Sequence, residues 1–167
     1  MTGAPLIRRA TGADLPALAR LLVEAVDGGA SLSFVAPLPL ALAEEFWAEP
    51  HPLLFVAEVD GAVAGCVELK PAWQPNAQHR AEVVKLLVST RARRCGVGRA
   101  LMDRCEAEAR ALGRTLLVLD TREGDAANQF YLKLGWTRAG GIPRYCRASG
   151  SAGLAGNVIY FKELAQA

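Results

Sequence analysis

Side chains that commonly ligate metals are scarce in this sequence. There are two histidines, His51 and His79, and four cysteines, none of them in a C-x-x-C pair. That scarcity excludes the usual tetrahedral zinc sites, so no metal is expected, and Cys66, Cys95, Cys105 and Cys146 read as reduced thiols. Net charge is equally sparse: 19 Lys and Arg stand against 17 Asp and Glu, for +2. No overall field exists to recruit nucleic acid or an anionic membrane, so any anion site must be local. Apolar runs never approach the roughly 18 residues of a membrane span. The opening stretch, MTGAPLIRRATGADLPAL, lacks the apolar core of a secretory signal. A cytoplasmic protein with neither nucleic-acid nor membrane partners is the expectation. Repeats and low-complexity tracts are also missing.

What is present is an ordinary globular composition, 51% hydrophobic and 22% charged over 167 residues, which fits one domain spanning 1–167. Pro5 to Ala10 reads as a strand. Apolar spacing predicts a helix from Asp14 to Val26, stopped by Gly28 and Gly29. A second helix is predicted over Pro39 to Ala48, with Leu40, Ala43, Phe46 and Trp47 on one face. Leu53 to Val59 and Ala62 to Leu69 are β-rich runs joined by Asp60-Gly61, a strong hairpin signal. Pro71 to Gln78 is expected to be a loop and Arg80 to Ser89 a central strand.

After a loop from Thr90 to Val97, a helix is predicted from Gly98 to Leu112 and a buried strand from Thr115 to Thr121. Strand, helix and strand in succession imply a parallel pair with a right-handed crossover. A last helix, Asp125 to Leu134, precedes two short strands at Trp136 to Ala139 and Val158 to Phe161.

The segment Arg91-Ala92-Arg93-Arg94-Cys95-Gly96-Val97-Gly98-Arg99 joins a buried strand to a helix start. Free backbone N–H groups and the helix dipole favour an anion there. Gly96 and Gly98 would let phosphate oxygens reach the backbone, and the arginines add local positive charge. A solvated basic turn is the alternative. A dinucleotide-binding loop is excluded because Leu101 occupies the third glycine place, and a P-loop because no Gly-Lys-Ser/Thr ending follows.

With Arg93, Gly96 and Gly98 in an R-x-x-G-x-G frame between strand and helix, the loop resembles the acetyl-CoA loop of the GNAT N-acetyltransferase superfamily. Ala127-Asn128-Gln129-Phe130-Tyr131-Leu132-Lys133-Leu134-Gly135-Trp136 resembles that superfamily's N-x-x-F-Y-x-x-x-G-F segment, with Trp for the usual Phe. The resemblance runs from residue 5 to 164 in element order. It implies an α/β fold of the α+β type: a mixed, mostly antiparallel sheet of about six to seven strands with a central splayed parallel pair, flanked by about four helices. GGAS at Gly28 to Ser31, RAEV at Arg80 to Val83, LDT at Leu119 to Thr121, YC at Tyr145-Cys146 and IYFK at Ile159 to Lys162 also resemble segments of tabtoxin-resistance enzymes, a branch that acetylates a β-lactam amino acid.

The resemblance implies acetyl-CoA as cosubstrate and no metal. Backbone groups of Leu86, Leu87 and Val88 would meet the pantetheine and acetyl carbonyl, and Arg93, Arg94, Cys95, Gly96, Val97, Gly98 and Arg99 the pyrophosphate, with Asn128 on the cofactor arm. Tyr131 matches the tyrosine aimed at the thioester sulfur, where a phenol suits protonation of a thiolate. An attacking amine must be neutral, which costs an α-amino group ~1.4 kcal/mol at pH 7 and a lysine-like amine over ~4. Glu82 matches the position of a general-base glutamate; standing about 13 Å of strand from Leu86, it would act through water. Asp120, at the end of the neighbouring strand, is a second candidate for proton removal or amine binding, the alternative being a pair with Arg122. Ser31, Ser33 and Phe34, with Trp73 to Asn76, are candidate pocket residues, and His79 and Tyr145 join them with less weight.

The expected function is transfer of acetyl to an amine on a small molecule that is amino-acid-like, a toxin or an antibiotic, by direct attack. Alternatives are acetylation of a protein N-terminus or lysine, and an acyl-CoA-binding sensor without catalysis. Homodimers are common among proteins of this resemblance, and nothing in the sequence decides that point.

Overall fold

The computed structural model describes residues 3–30, 32–147 and 153–165. Seven strands form one sheet: β1 (Leu6–Arg9), β2 (Leu54–Val59), β3 (Ala62–Pro71), β4 (Arg80–Val88), β5 (Leu116–Arg122), β6 (Thr137–Arg147) and β7 (Leu154–Glu163), in the spatial order β1-β2-β3-β4-β5-β7-β6. Every neighbouring pair is antiparallel except β4 and β5. That pair is parallel because a helix connects the two strands, as the sequence predicts.

Four α-helices cover the sheet: α1 (Leu15–Asp27), α2 (Leu40–Ala48), α3 (Val97–Ala111) and α4 (Ala126–Lys133). Alternation along the strands divides the apolar residues into two cores. One gathers Leu18, Leu22 and Val26 of α1 and Trp47 of α2 with Val56, Cys66 and Leu87. The other packs Leu101, Met102 and Cys105 of α3 and Tyr131 of α4 on Phe55, Val67, Ala81, Val83 and Leu117. Burial pushes the Cys105 thiol up to about 12 and raises Cys66 as well, so both behave as small apolar side chains and not as nucleophiles. No helix among the described residues is long and apolar enough to cross a membrane.

Element boundaries differ from expectation in instructive places. Leu40 of α2 is 45% exposed while Ala43 and Trp47 are buried, so the buried face of that helix begins one turn later than its pattern implies. Pro75–Ala77 and Thr90–Ala92 form single 3-10 turns inside predicted loops. The last two strands are more than twice their expected length. Gly140, Gly141, Pro143 and a positive φ at Arg144 interrupt the alternation of β6, which keeps its partner through two register shifts.

Candidate active site

The parallel pairing of β4 with β5 covers only Arg80 to Glu82 against Leu116 to Val118. Beyond that the strands separate, although β4 continues to pair with β3 as far as Val88 and β5 with β7 as far as Arg122. A wedge of unpaired strand edge therefore opens toward the C-terminal ends of both strands, where α/β sheets hold their ligands. Backbone groups left unpaired at such an edge need a partner, and an extended polar chain can supply one.

One extra residue in β4 shapes the wedge. Cys66 and Glu68 of β3 face Leu87 and Val84, so Lys85 and Leu86 together oppose Val67 in a bulge, and Lys85 has φ 54°. The Leu87 amide is directed at the Cys66 sulfur of β3, and its side chain joins the α1 and α2 core. Strand alternation then turns the backbone of Leu86 and Val88 to the open edge. Of the three residues expected against pantetheine, Leu86 and Val88 meet the wedge, while Leu87 faces β3.

At the wide end of the wedge the chain turns into α3. Glu24 of α1 holds this turn, accepting hydrogen bonds from the Thr90 amide (2.7 Å) and hydroxyl (2.7 Å) and from the Ser89 hydroxyl (3.4 Å). Burial alone would raise this carboxyl, but the Thr90 and Ser89 donors outweigh it and hold it below the usual value. Arg94 and Gly96 have φ 63° and 80°, curling the segment so that α3 begins without a side-chain cap. Its first-turn amides at Val97, Gly98 and Arg99 have no acceptor within the helix. Arg93, Arg94 and Arg99 are exposed and form no ion pair among the described residues, and Cys95 is also exposed.

The two glycines of this loop do different work. Gly96 needs its left-handed backbone, and a Cβ there would meet nothing within 4 Å. A Cβ at Gly98 would lie 3.2 Å from the Phe130 ring and 3.7 Å from Val88. Gly98 therefore lets α3 approach α4, a packing role that stands beside the one expected for it at a phosphate. Gly65 of β3 is a third such residue: its Cβ would fall 2.7 Å from the Leu87 carbonyl and 3.1 Å from Val97 and Leu101.

Phe130 positions α4 so that Tyr131 stands beside the wedge. Tyr131 is 7% exposed, packs against Trp136 and Tyr160, and has no hydrogen bond to its hydroxyl among the described residues. Burial raises its phenol well above the ordinary value, and the charge of Asp120 adds to the effect. The hydroxyl thus keeps its proton in neutral solution. Asn128 locks the turn before α4, donating to the carbonyls of Arg122 (2.8 Å) and Asp125 (2.9 Å) and accepting from the Tyr160 hydroxyl (3.0 Å). Its amide is already engaged by the protein on both sides.

A cavity of about 470 Å³ adjoins Tyr131 and holds Glu82, Lys85, Leu86 and Asp120 together with Ser33 and Phe34 from the α1–α2 loop and Tyr145 from β6. Asp120 does not pair with Arg122, which instead holds Asp125 at 2.7 Å. Its contact is a 3.4 Å hydrogen bond from Asn157, which is 4% exposed and also accepts from the Ile142 amide. Glu82 is exposed and lies at the paired base of the wedge. Trp73 and Gln74 line a separate cavity of about 620 Å³ that shares Glu82 with the first, so they are not part of the pocket beside Tyr131. His79 is exposed on the strand's approach, its carbonyl taken by the Thr115 and Leu116 amides. Ser31 lies outside the described residues. Lys85 and Asn157 were not anticipated from sequence: only the bulge brings the first into the cavity, and only the long β6–β7 pairing brings the second. No group of three potential metal ligands occurs among the described residues.

A sheet opened between its one parallel pair, with uncapped helix amides at one end and a pocket at the other, can seat an extended polar chain that ends in an anion. The family model described as acetyltransferase (GNAT) matches residues 23–136, and the chain belongs to that family. It is 38% identical over 116 residues to an uncharacterized N-acetyltransferase encoded in the hisH-hisA intergenic region of Azospirillum brasilense, covering 66% of this chain and 69% of that protein. An amino-acid acetyltransferase of Mycobacterium tuberculosis is 29% identical over 139 residues, 83% of this chain and 72% of its own. Among solved structures, yncA of Salmonella typhimurium, determined with its cofactor acetyl-CoA, superposes with a TM-score of 0.77 at 22% identity, over 99% of this chain and 96% of that one. Membership of the family implies acetyl-CoA as the acyl donor.

Proposed function

We propose that this protein is a single-domain cytosolic N-acetyltransferase whose acceptor is the amine of a small, amino-acid-like compound, in the manner of the tabtoxin-resistance branch that several of its short segments resemble. The observation that carries this reading is the wedge: the β4–β5 pairing stops at Glu82 and Val118, and Tyr131 and the cavity holding Asp120 both open onto it. The residues present suit acetyl-CoA. Uncapped amides at Val97, Gly98 and Arg99, with Arg93 and Arg94 beside them, would hold the pyrophosphate, and the open edge of Leu86 and Val88 would hold the pantetheine arm. Cys95 and Asn128 border these contacts, Asn128 by fixing the turn from β5 to α4.

Bound there, the cosubstrate supplies an activated acetyl group as a thioester. Asp120 binds the acceptor's ammonium and receives its proton, directly or through water, leaving a lone pair for attack on the acetyl carbonyl. Glu82, on the solvent side, relays that proton outward. An amide at Leu86 or Val88 stabilises the charge that develops on the carbonyl oxygen. Tyr131 donates its phenolic proton to the departing sulfur and is restored from solvent. Ser33 and Phe34 close the acceptor side.

The test is release of coenzyme A thiol from acetyl-CoA over a panel of amines that includes free amino acids and β-lactam amino acids, with product mass measured. Release with one or more small amines supports the reading. Release confined to peptides or proteins moves the acceptor to a protein amine. Tight calorimetric binding of coenzyme A with no release at all makes the chain a sensor.

A further inference from the structure

The cavity beside Tyr131 contains a cation that the chemistry of acetyl transfer does not require. Lys85 reaches it because the β4 bulge places this residue at φ 54° and turns its side chain toward α2. Its Nζ donates to the Leu32 carbonyl at 2.9 Å and lies 5.7 Å from the Phe34 ring and 5.3 Å from the Phe46 ring. Both rings present their faces to the charge, a geometry that favours a cation over a neutral amine. No carboxylate forms an ion pair with it among the described residues. Two of the ammonium's three hydrogens remain for another acceptor.

A half-buried ammonium held by one carbonyl and two rings is a costly arrangement to keep, because desolvation is only partly offset. Burial correspondingly lowers the Lys85 pKa, with Lys70 acting in the same direction and Glu68 and Asp120 opposing. Two arginines also line the cavity: Arg122 is neutralised by Asp125 at 2.7 Å, and Arg147 stands exposed at the end of β6. Lys85 has no carboxylate paired with it among the described residues, in a pocket that also contains Asp120, held by Asn157. Lys85 and Asp120, a cation and an anion close enough to influence each other, complement a ligand whose ammonium and carboxylate are carried on one carbon.

We propose that Lys85 is the receptor for a carboxylate on the acceptor, so that the enzyme selects α-amino acids or analogues retaining a free acid group. Resting on the transferase reading above, the assignment adds a substrate requirement: the ammonium of the acceptor meets Asp120 and its carboxylate meets Lys85. Amines without an acid group, among them aminoglycosides, polyamines and internal peptide lysines, leave Lys85 unpaired and are poor acceptors.

The experiment compares each amino acid that is acetylated with its carboxamide and its decarboxylated amine, in the wild type and in Lys85→Met and Lys85→Arg. In the wild type kcat/KM for the free acid exceeds that for the carboxamide by about 10- to 100-fold, the range of a hydrogen bond to a charged group. In Lys85→Met that ratio collapses to within about twofold of unity, mainly through KM for the acid, and Lys85→Arg restores part of it. Equal preference for acid and carboxamide in the wild type overturns the assignment. So does an unchanged ratio in Lys85→Met. Melting temperature and acetyl-CoA affinity are measured alongside, since a purely structural lysine would change both and leave the ratio intact. Should no amine release thiol, the transferase reading is the one that fails. Calorimetric binding of the amino-acid panel to the coenzyme A complex, wild type against Lys85→Met, then decides the receptor separately: acid-dependent binding lost in the variant supports it, and binding indifferent to the variant overturns it.

Discussion

The two ends of the wedge are made of different material. At the α3 end the contacts offered to a ligand are mainly backbone amides, shaped by φ at Arg94 and Gly96 and held in place from outside by Glu24. At the cavity end they are side chains, Asp120, Lys85 and Tyr131, brought from separate strands and helices. Main-chain contacts recognise what is common to every acyl-CoA, whereas side chains can be replaced without disturbing that recognition. On the proposed reading, the architecture separates the invariant half of the reaction from its variable half.

Substitutions at the two ends should divide along that line. The largest expected effect is at Tyr131. Tyr131→Phe removes the proton donor and should lower kcat by about 100-fold or more while leaving KM for acetyl-CoA nearly unchanged, as read by steady-state thiol release. Turnover equal to wild type would remove Tyr131 from the chemistry. Next is Asp120, whose charge influences both Tyr131 and Lys85. Asp120→Asn should reduce kcat/KM for the acceptor by about 10- to 100-fold, and Glu82→Gln by less than Asp120→Asn. The opposite ranking would make Glu82 the effective base.

The cofactor end responds to backbone changes instead. Gly96→Ala puts a Cβ on a residue at φ 80°, a cost of about 1 kcal/mol, and should raise KM for acetyl-CoA roughly fivefold with the acceptor KM little affected. The smallest effect is at Glu24. Glu24→Gln should weaken acetyl-CoA binding about two- to fivefold through lost hydrogen bonds to Thr90. Because the native fold holds the Glu24 carboxyl below its usual value, its stabilisation is complete above the unfolded-state pKa and is lost as pH falls through the lower folded value. Denaturation by acid, followed by circular dichroism, should therefore separate wild type from Glu24→Gln near neutrality and bring them together at low pH.

Local signals made much of this legible in advance. Asp60-Gly61 marks the β2–β3 hairpin, and the basic glycine loop between β4 and α3 announces the crossover, since the turn is encoded in nine consecutive residues. The α4 motif places Tyr131 for the same reason. What escaped was what depends on distant strands. Nothing around Lys85 signals that an extra residue will be accommodated opposite Val67, and a lysine in an apolar run reads as a residue facing solvent. Asn157 reaches Asp120 only because β6 and β7 extend far beyond their apolar centres. Gly98 could be marked as special from sequence, but the ring that requires it is supplied by α4, 32 positions on.

The contact between Gly98 and Phe130 has a mechanical meaning. Phe130 is the immediate neighbour of Tyr131, and its ring rests against the first turn of α3, so the helix start proposed to grip the donor and the phenol proposed to serve the leaving group share one point of support. A shift of that turn on binding would be transmitted to the phenol through a single aromatic plate, keeping acid and thioester in step without a moving lid.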